Sequence, residues 1–167
     1  MSPGKRPLWS RVSNRIFHVL ARFAPGSTTL RPALHRWRGA EVRKGAFIGD
    51  GVYIDNEFPE CVEIHENVQI SVRAILIAHT RGPGRLIIER DAFIGPGSIL
   101  ICGAGKTLKI GAGSVVGAGS VITRSIPPGL YVAPDSPTVL AKVGVPLPLA
   151  KTMEEFWSGL SPAKKSS

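Results

Sequence analysis

The sequence predicts an all-β solenoid, a parallel β-helix of triangular section, and three observations lead there. Aliphatic residues recur every six positions in four groups: Val42, Ile48 and Ile54; Ile64, Ile70 and Leu76; Ile88, Ile94 and Leu100; Ile110, Val116 and Ile122. Two residues before each later aliphatic the side chain is small (Ala46, Val52, Val68, Ala74, Ala92, Ser98, Ser114, Ser120). One residue further back stands a turn former, Gly45, Gly51, Asn67, Asp91, Gly97, Gly113 or Gly119, with Arg73 as the exception. Finally, the groups start at 42, 64, 88 and 110, which are 22, 24 and 22 residues apart where three plain hexads would take 18, so each group is followed by an insertion at the same corner.

One hexad is then one short strand and one corner. The aliphatic residue points inward and stacks on its equivalent a coil away, at the ~4.8 Å strand spacing. Small residues fit the corner, and Gly or Asn accepts the positive φ it imposes. A β-sandwich would need period-two strands joined by hairpin turns, a pattern this sequence lacks.

Residues 1–40 form a basic helical extension, 41–142 the repeat domain, and 143–167 a C-terminal segment. The 167 residues, 43% hydrophobic, suit one domain with a real core. Of the net charge of +9, the whole excess precedes the repeats: Met1 to Lys44 holds ten Lys/Arg against Glu41 alone, and Gly45 to Ser167 holds eleven of each sign. Leu8 to Phe23 has helical period, with Trp9, Val12, Ile16, Leu20 and Phe23 on one face and Arg11, Arg15, His18 and Arg22 on the other. Ala24-Pro25-Gly26-Ser27 ends that helix, and a shorter one is expected over Arg31 to Arg38. The apolar face is expected to cap the open end of the solenoid and leave the arginines to a charged partner; the alternative is an anionic membrane surface. Nucleic acid is not expected, because no recognition motif accompanies the charge.

No stretch approaches the ~18 to 20 apolar residues of a membrane span, and His18 and Arg22 interrupt the one candidate for a signal peptide. Cys61 and Cys102 fall on equivalent corners two coils apart, ~10 Å by strand spacing, beyond the ~7 Å Cα limit of a disulfide. Free thiols point to a reducing compartment, the cytoplasm. Two glycine motifs are products of the repeat. Gly103 to Thr107 lacks the earlier glycine of a phosphate loop, since Leu100 occupies that place, and Gly111 to Gly119 opens no helix. After Ile122 the prolines of Thr123 to Pro134 are expected to end regular coiling. Lys151 to Leu160 is expected to be helical, with a polar tail over Ser161 to Ser167.

The hexads from Val42 to Ile122, with Gly-Ala-Gly-Ser-Val-Ile-Thr-Arg-Ser-Ile-Pro-Pro at Gly117 to Pro128, resemble the hexapeptide-repeat acyltransferases, whose coil is left-handed. Within them the likeness is greatest to maltose and galactoside O-acetyltransferases and to acetyltransferases of surface-polysaccharide biosynthesis. The resemblance implies about four full coils, a homotrimer with active sites between subunits, and acetyl-CoA as co-substrate lying along the coils. It also implies a catalytic histidine at the start of a loop, matched by His79 in Ala78-His79-Thr80, and an asparagine that positions the acceptor, matched by Asn56. Gly95, Pro96, Ala118, Gly119 and Thr123 match positions that touch CoA. An arginine frequent after the last coil is replaced by Thr138, which leaves Arg124 or Lys142 for the nucleotide phosphates.

The chemistry suits those residues. A thioester is already activated, so transfer to a hydroxyl needs a base and oxyanion donors but no covalent enzyme intermediate. Histidine, with an ordinary pKa near neutrality, fits the base. Glu57 is a candidate to bind a sugar hydroxyl or orient His79. Arg73, at a corner where glycine would be cheaper, and Arg81, beside His79 with Arg85, are candidates to hold an anionic acceptor. No metal is expected: His65 follows an inward Ile64 and points outward, so only His65 and His79 lie in the ladder, short of the three histidines of a zinc carbonic anhydrase on this solenoid. The sequence therefore predicts a cytoplasmic O-acetyltransferase, at the inner face of the membrane, acting on a sugar or polysaccharide precursor. The competing classes are an acetyltransferase for an amine or xenobiotic, the carbonic anhydrase, and a non-catalytic scaffold.

Overall fold

The computed structural model describes residues 8–135 and 141–162, with side chains from Val12 onward. Trp9 and Arg11 as side chains, Thr138, and the tail beyond 162 lie outside the described residues.

Helix α1 (Leu8–Phe23) and helix α2 (Leu30–Trp37) precede the ladder. The first coil is β1 (Glu41–Val42), β2 (Phe47–Ile48) and β3 (Tyr53–Ile54); the second is β4 (Val62–Ile64), β5 (Gln69–Ile70) and β6 (Ile75–Ile77). The third is β7 (Arg85–Ile88), β8 (Phe93–Ile94) and β9 (Ile99–Ile101), and the fourth is β10 (Thr107–Ile110), β11 (Val115–Val116) and β12 (Val121–Ile122). Every third strand pairs in parallel, giving three sheets: β1-β4-β7-β10, β2-β5-β8-β11-β13 and β3-β6-β9-β12, where β13 is Tyr131–Val132. This is the expected parallel β-solenoid of hexapeptide repeats.

The register follows the hexads residue for residue. Val42 lies on Ile64, Ile64 on Ile88 and Ile88 on Ile110; Ile48, Ile70, Ile94 and Val116 stack on the second sheet, and Ile54, Leu76, Leu100 and Ile122 on the third. All of these are buried except Ile122, which is half-buried against the same core. All eight residues in the turn-former position have positive φ, Arg73 at 56° included among glycines that lie between 64° and 77°. The buried corner serines are satisfied: Ser98 and Ser120 donate to Gly117 O at 2.9 and 2.7 Å, and Ser114 donates to Pro127 O at 2.8 Å.

Three expectations need correction. The prolines after Ile122 do not end the coiling, because Ile126 bridges to Ile110 and Val132 pairs with Val116 to begin a fifth coil. A proline forfeits only its own donor, and Pro127 and Pro128 fall at the corner between these positions, where no ladder bond is required. Helix α1 packs in the opposite sense to the one expected. Asn14, His18 and Ala21 are buried, whereas Val12, Ile16, Val19, Leu20 and Phe23 are between 47% and 73% exposed. Asn14 turns inward to bond Arg38 and the carbonyl of Asn56, and His18 turns inward against the Tyr53 ring. The C-terminal helix α3 is shorter than expected, Met153–Ser158, with Thr152 capping Glu155 N at 3.1 Å, and Leu160 belongs to a strand instead.

A second compact unit begins at Asp135. In it β14 (Ala141–Val143) pairs antiparallel with β15 (Leu160–Pro162) around α3. Lys142 thus sits in this unit, one residue from each end of β14. Among the described residues no helix is long and apolar enough to cross a membrane, and Cys61 and Cys102 are not joined by a disulfide.

Each core position bears load in this stacking. Ile94→Ala should lower the unfolding free energy by about 2–5 kcal/mol through lost transfer energy and a cavity between Ile70 and Val116. Glu154→Ala, on the exposed helix α3, should change it by less than about 0.5 kcal/mol. Denaturant titration checks both.

Candidate active site

The three insertions share the corner between the third sheet and the first, so the chain after β3 and the chain after β6 meet one coil apart. Asp55 opens the first insertion and His79 the second. The Asp55 side chain is fully buried, and its Oδ2 lies 2.6 Å from His79 Nδ1. Its remaining capacity is filled by main-chain donors: Glu57 N and Phe58 N at 2.9 Å on Oδ1, and Ala78 N at 2.8 Å on Oδ2. A buried carboxylate without such donors would be heavily penalised; this one has three, and His79 makes a fourth.

A carboxylate only accepts, so His79 carries its proton on Nδ1 and presents the lone pair of Nε2. Phe58 packs edge-on against the imidazole, with ring centroids 5.5 Å apart. The histidine's loop is closed tightly: His79 bridges Pro83, and Gly84 N donates to Ala78 O at 2.7 Å. A side chain at position 84 would collide with Gly103 O and Cys102 Sγ, so only glycine closes the turn here.

His79 is one-quarter exposed and faces a surface cleft of about 640 Å³. Ile75 and Ile77 of β6 line the cleft, Tyr53 and Gly51 come from the coil below, and Arg22 and Phe23 from the end of α1. Arg73 completes it from the far side of β6.

A second buried network holds the first insertion from behind. Arg38, just past α2, donates to Ile54 O at 3.1 Å and Asp55 O at 2.7 Å through Nη2, and to Asn14 Oδ1 at 2.8 Å through Nε. Its Nη1 lies 3.0 Å from His35 Nδ1; a guanidinium only donates, so that nitrogen accepts. Asn14 in turn donates to Asn56 O. His18 stacks edge-on against Tyr53 at 4.8 Å. Burial, reinforced by the Arg38 charge, lowers His35 to about 3 and His18 to about 4. Burial also lowers Arg38 to about 10, opposed by Tyr53 and Asp55.

Other sequence candidates fall as follows. Asn56 adjoins the site, with its Oδ1 buried and accepting no hydrogen bond among the described residues. The Glu57 side chain is exposed, and the bond orienting His79 comes from Asp55, which the sequence reading missed. Arg73 enters the cleft; Arg81 is exposed and not among its lining residues; Arg85 is paired with Glu63. Gly95 and Pro96 lie against Ala118 and Gly119 at the corner between the second and third sheets, where Gly119 N donates to Pro96 O at 2.8 Å. Thr123 and Arg124 are exposed beyond β12. Among the described residues no three His, Cys, Asp or Glu side chains are grouped closely enough to hold a metal ion.

No family model matches the chain. It is 34% identical over 119 residues to bifunctional protein GlmU of Acidithiobacillus ferrooxidans, covering 70% of this chain and 25% of that protein. It is 33% identical over 92 residues to 2,3,4,5-tetrahydropyridine-2,6-dicarboxylate N-acetyltransferase of Clostridium perfringens, covering 55% and 32%. With putative acetyltransferase YvoF of Bacillus subtilis it shares 26% identity over 166 residues, covering 96% of this chain and 87% of the relative. The chain thus spans a quarter of the GlmU length and most of YvoF. Among solved structures, serine acetyltransferase isoform 3 of Entamoeba histolytica, in complex with cysteine, has a TM-score of 0.38 and 18% identity, covering 78% of this chain and 48% of that one.

The buried histidines make the network acid-sensitive. The unfolded chain protonates both near the ordinary 6.5, whereas the folded protein resists until about 4 for His18 and about 3 for His35. Their contribution is therefore complete above pH 6.5 and is lost progressively as pH falls towards those values. Melting temperature should drop across that window in wild type and less steeply in His18→Gln/His35→Gln, as read by circular dichroism.

Proposed function

We propose that this chain is an acetyl-CoA-dependent O-acetyltransferase acting on a hydroxyl of a sugar or polysaccharide precursor, with His79 as general base. The observation that supports this reading best is the Asp55–His79 pair at the rim of the cleft, with Nε2 free to take a proton. The acceptor hydroxyl gives its proton to Nε2 as its oxygen attacks the thioester carbonyl. The tetrahedral adduct expels the CoA sulfur, which takes that proton back, leaving an ester and the free thiol. Asp55 fixes the imidazole's tautomer and offsets the charge of the imidazolium that forms between the two steps. Asn56, Glu57 and Arg81 border this corner as acceptor contacts.

Acetyl-CoA fits the corner stack of Gly95, Pro96, Ala118 and Gly119. That ledge is bare: a Cβ added at Gly97 or Gly119 meets nothing within 4 Å, so an extended pantetheine can lie against the main chain. Thr123 and Arg124, exposed beyond β12, are the candidates for its polar end. The enzyme acts as a homotrimer, a reading supported by the outward aliphatic pair Ile99 and Val121 on the third sheet, which a neighbouring prism would cover.

We further read the protein as working at the cytoplasmic face of an anionic membrane. The exposed apolar face of α1 supports this, flanked as it is by the exposed Arg15 within a segment that has ten cations to one anion.

His79→Ala should keep the fold and lose about 10² to 10⁴ in kcat, and Asp55→Asn should lose a comparable factor because a carboxamide can no longer accept from all four donors. A thiol-release assay reads both, and full activity in His79→Ala would end this mechanism. Phosphatidylglycerol vesicles should float the wild type and not Ile16→Glu/Leu20→Glu. Unchanged flotation with a smaller sedimenting species would make this helix face a subunit contact.

A further inference from the structure

The cleft beside His79 holds two cations and no anion. Asp50, Glu41, Glu66, Glu63 and Glu89 each pair with other basic residues, and among the described residues no carboxylate lies within ion-pair distance of Arg22 or Arg73. Both arginines nonetheless line the same cavity.

Each is held there by the fold. Arg73 occupies a corner at φ 56°, a conformation whose equivalents on the same edge are Gly51, Gly97 and Gly119. A β-carbon is disfavoured at such a position, so a long cationic side chain there runs against local preference. Gly51, one coil below, lies against it: a Cβ added at Gly51 would sit 3.4 Å from Arg73 Cγ, an ordinary van der Waals contact. Arg22 reaches the same glycine from the other side, since Gly51 N donates to Arg22 O at 2.9 Å and anchors the end of α1. The guanidinium of Arg22 lies 5.6 Å from the Phe23 ring, and its Nε is buried with no hydrogen-bond partner among the described residues. A buried donor without an acceptor is a group prepared for one.

We propose that Arg22 and Arg73 form an anion subsite for the acceptor, so that the substrate is a sugar or short glycan carrying a phosphate or carboxylate away from the hydroxyl that is acetylated. This rests on the acetyltransferase reading. The placement supports it: Arg73 stands just before β6 and His79 just after it, and both line one cleft. Ile75 and Ile77 between them offer an apolar floor on which a sugar ring can lie while the anion and the reacting hydroxyl are held at opposite ends.

The experiment compares glucose 1-phosphate, glucuronic acid and glucose as acceptors for wild type, Arg22→Gln, Arg73→Gln and, as a control, the exposed Arg90→Gln. Calorimetry of the same three compounds supplies a binding readout independent of turnover. Wild type should prefer the charged acceptors, and which of the two is preferred separates phosphate from carboxylate. Either cleft variant should weaken the charged acceptor by about ten- to a hundredfold, the loss expected for a charge-assisted hydrogen bond, with KM for glucose and for acetyl-CoA unchanged and Arg90→Gln unaffected. A rise confined to KM for acetyl-CoA would assign the arginines to the nucleotide and overturn the proposal, as would equal use of charged and uncharged acceptors. Arginine-dependent binding of an anion without any acetyl transfer would keep the subsite and refute the acetyltransferase reading.

Discussion

The Asp55 carboxylate is buried where two consecutive insertions meet. Two of its four donors come from its own turn, at Glu57 and Phe58, and two from the next coil, at Ala78 and His79. It therefore shapes one loop and orients the other with a single charge. This works because both insertions leave the solenoid at the same corner, and successive corners lie one strand spacing apart. Behind the carboxylate, Arg38 grips the carbonyls of Ile54 and Asp55, and its charge moderates the desolvation of Asp55. The order of dependence runs from the inward aliphatic stack, to the coincident corners, to Asp55, and from there to the free nitrogen of His79.

The solenoid was legible because its determinants are local and repeated. An inward aliphatic and a small residue two before it decide one strand and one corner, so twelve hexads state the same rule, and even Arg73 obeys it with φ 56°. His79 was legible as the histidine at the longest insertion. Asp55 was not. It follows the inward Ile54, and strict alternation puts the next residue outside; the insertion breaks that alternation and folds the carboxylate beneath the next coil. Glu57, which does point outward, was the acid the spacing favoured. Arg38, Arg22 and the buried face of α1 were hidden for another reason. Helical periodicity ranks faces by hydrophobicity alone, whereas Asn14 is drawn inward by Arg38 and the Asn56 carbonyl and His18 packs on the Tyr53 ring. The double proline was misleading in the opposite way, since a residue without a donor is harmless at a corner that needs none.

The three faces of the prism differ outside as much as they agree inside. Glu41, Glu63, Ile87 and Lys109 look outward from the first sheet, Phe47, Gln69, Phe93 and Val115 from the second, and Tyr53, Ile75, Ile99 and Val121 from the third. Because the core rule constrains only alternate residues, the outward set is free to specialise. The aliphatic face is the one that runs between the Arg73 corner and the His79 corner, so the cleft has a floor suited to a ring and rims suited to charge and to proton transfer. Water is a poor competitor for such a floor, which in the proposed reaction would favour a bound acceptor hydroxyl over hydrolysis of the thioester.

Helix α1 links that cleft to whatever lies against its exposed face. Its inward residues serve the Arg38 network, its last turn contributes Arg22 and Phe23 to the cleft, and its outward face offers Val12, Ile16, Val19 and Leu20. A helix whose apolar residues had packed on the solenoid would have left the first coil's polar groups unsatisfied and put no cation at the cleft. Inverting it satisfies both, at the cost of an apolar surface that needs a cover. An anionic lipid surface would supply that cover with the same sign of charge that the proposed subsite in the cleft would select, so acceptor recognition by Arg22 and docking by the helix that bears it would draw on one field. The two would reinforce each other most for an anionic acceptor held at the membrane, since a single encounter brings the helix face and the cleft mouth to the same boundary.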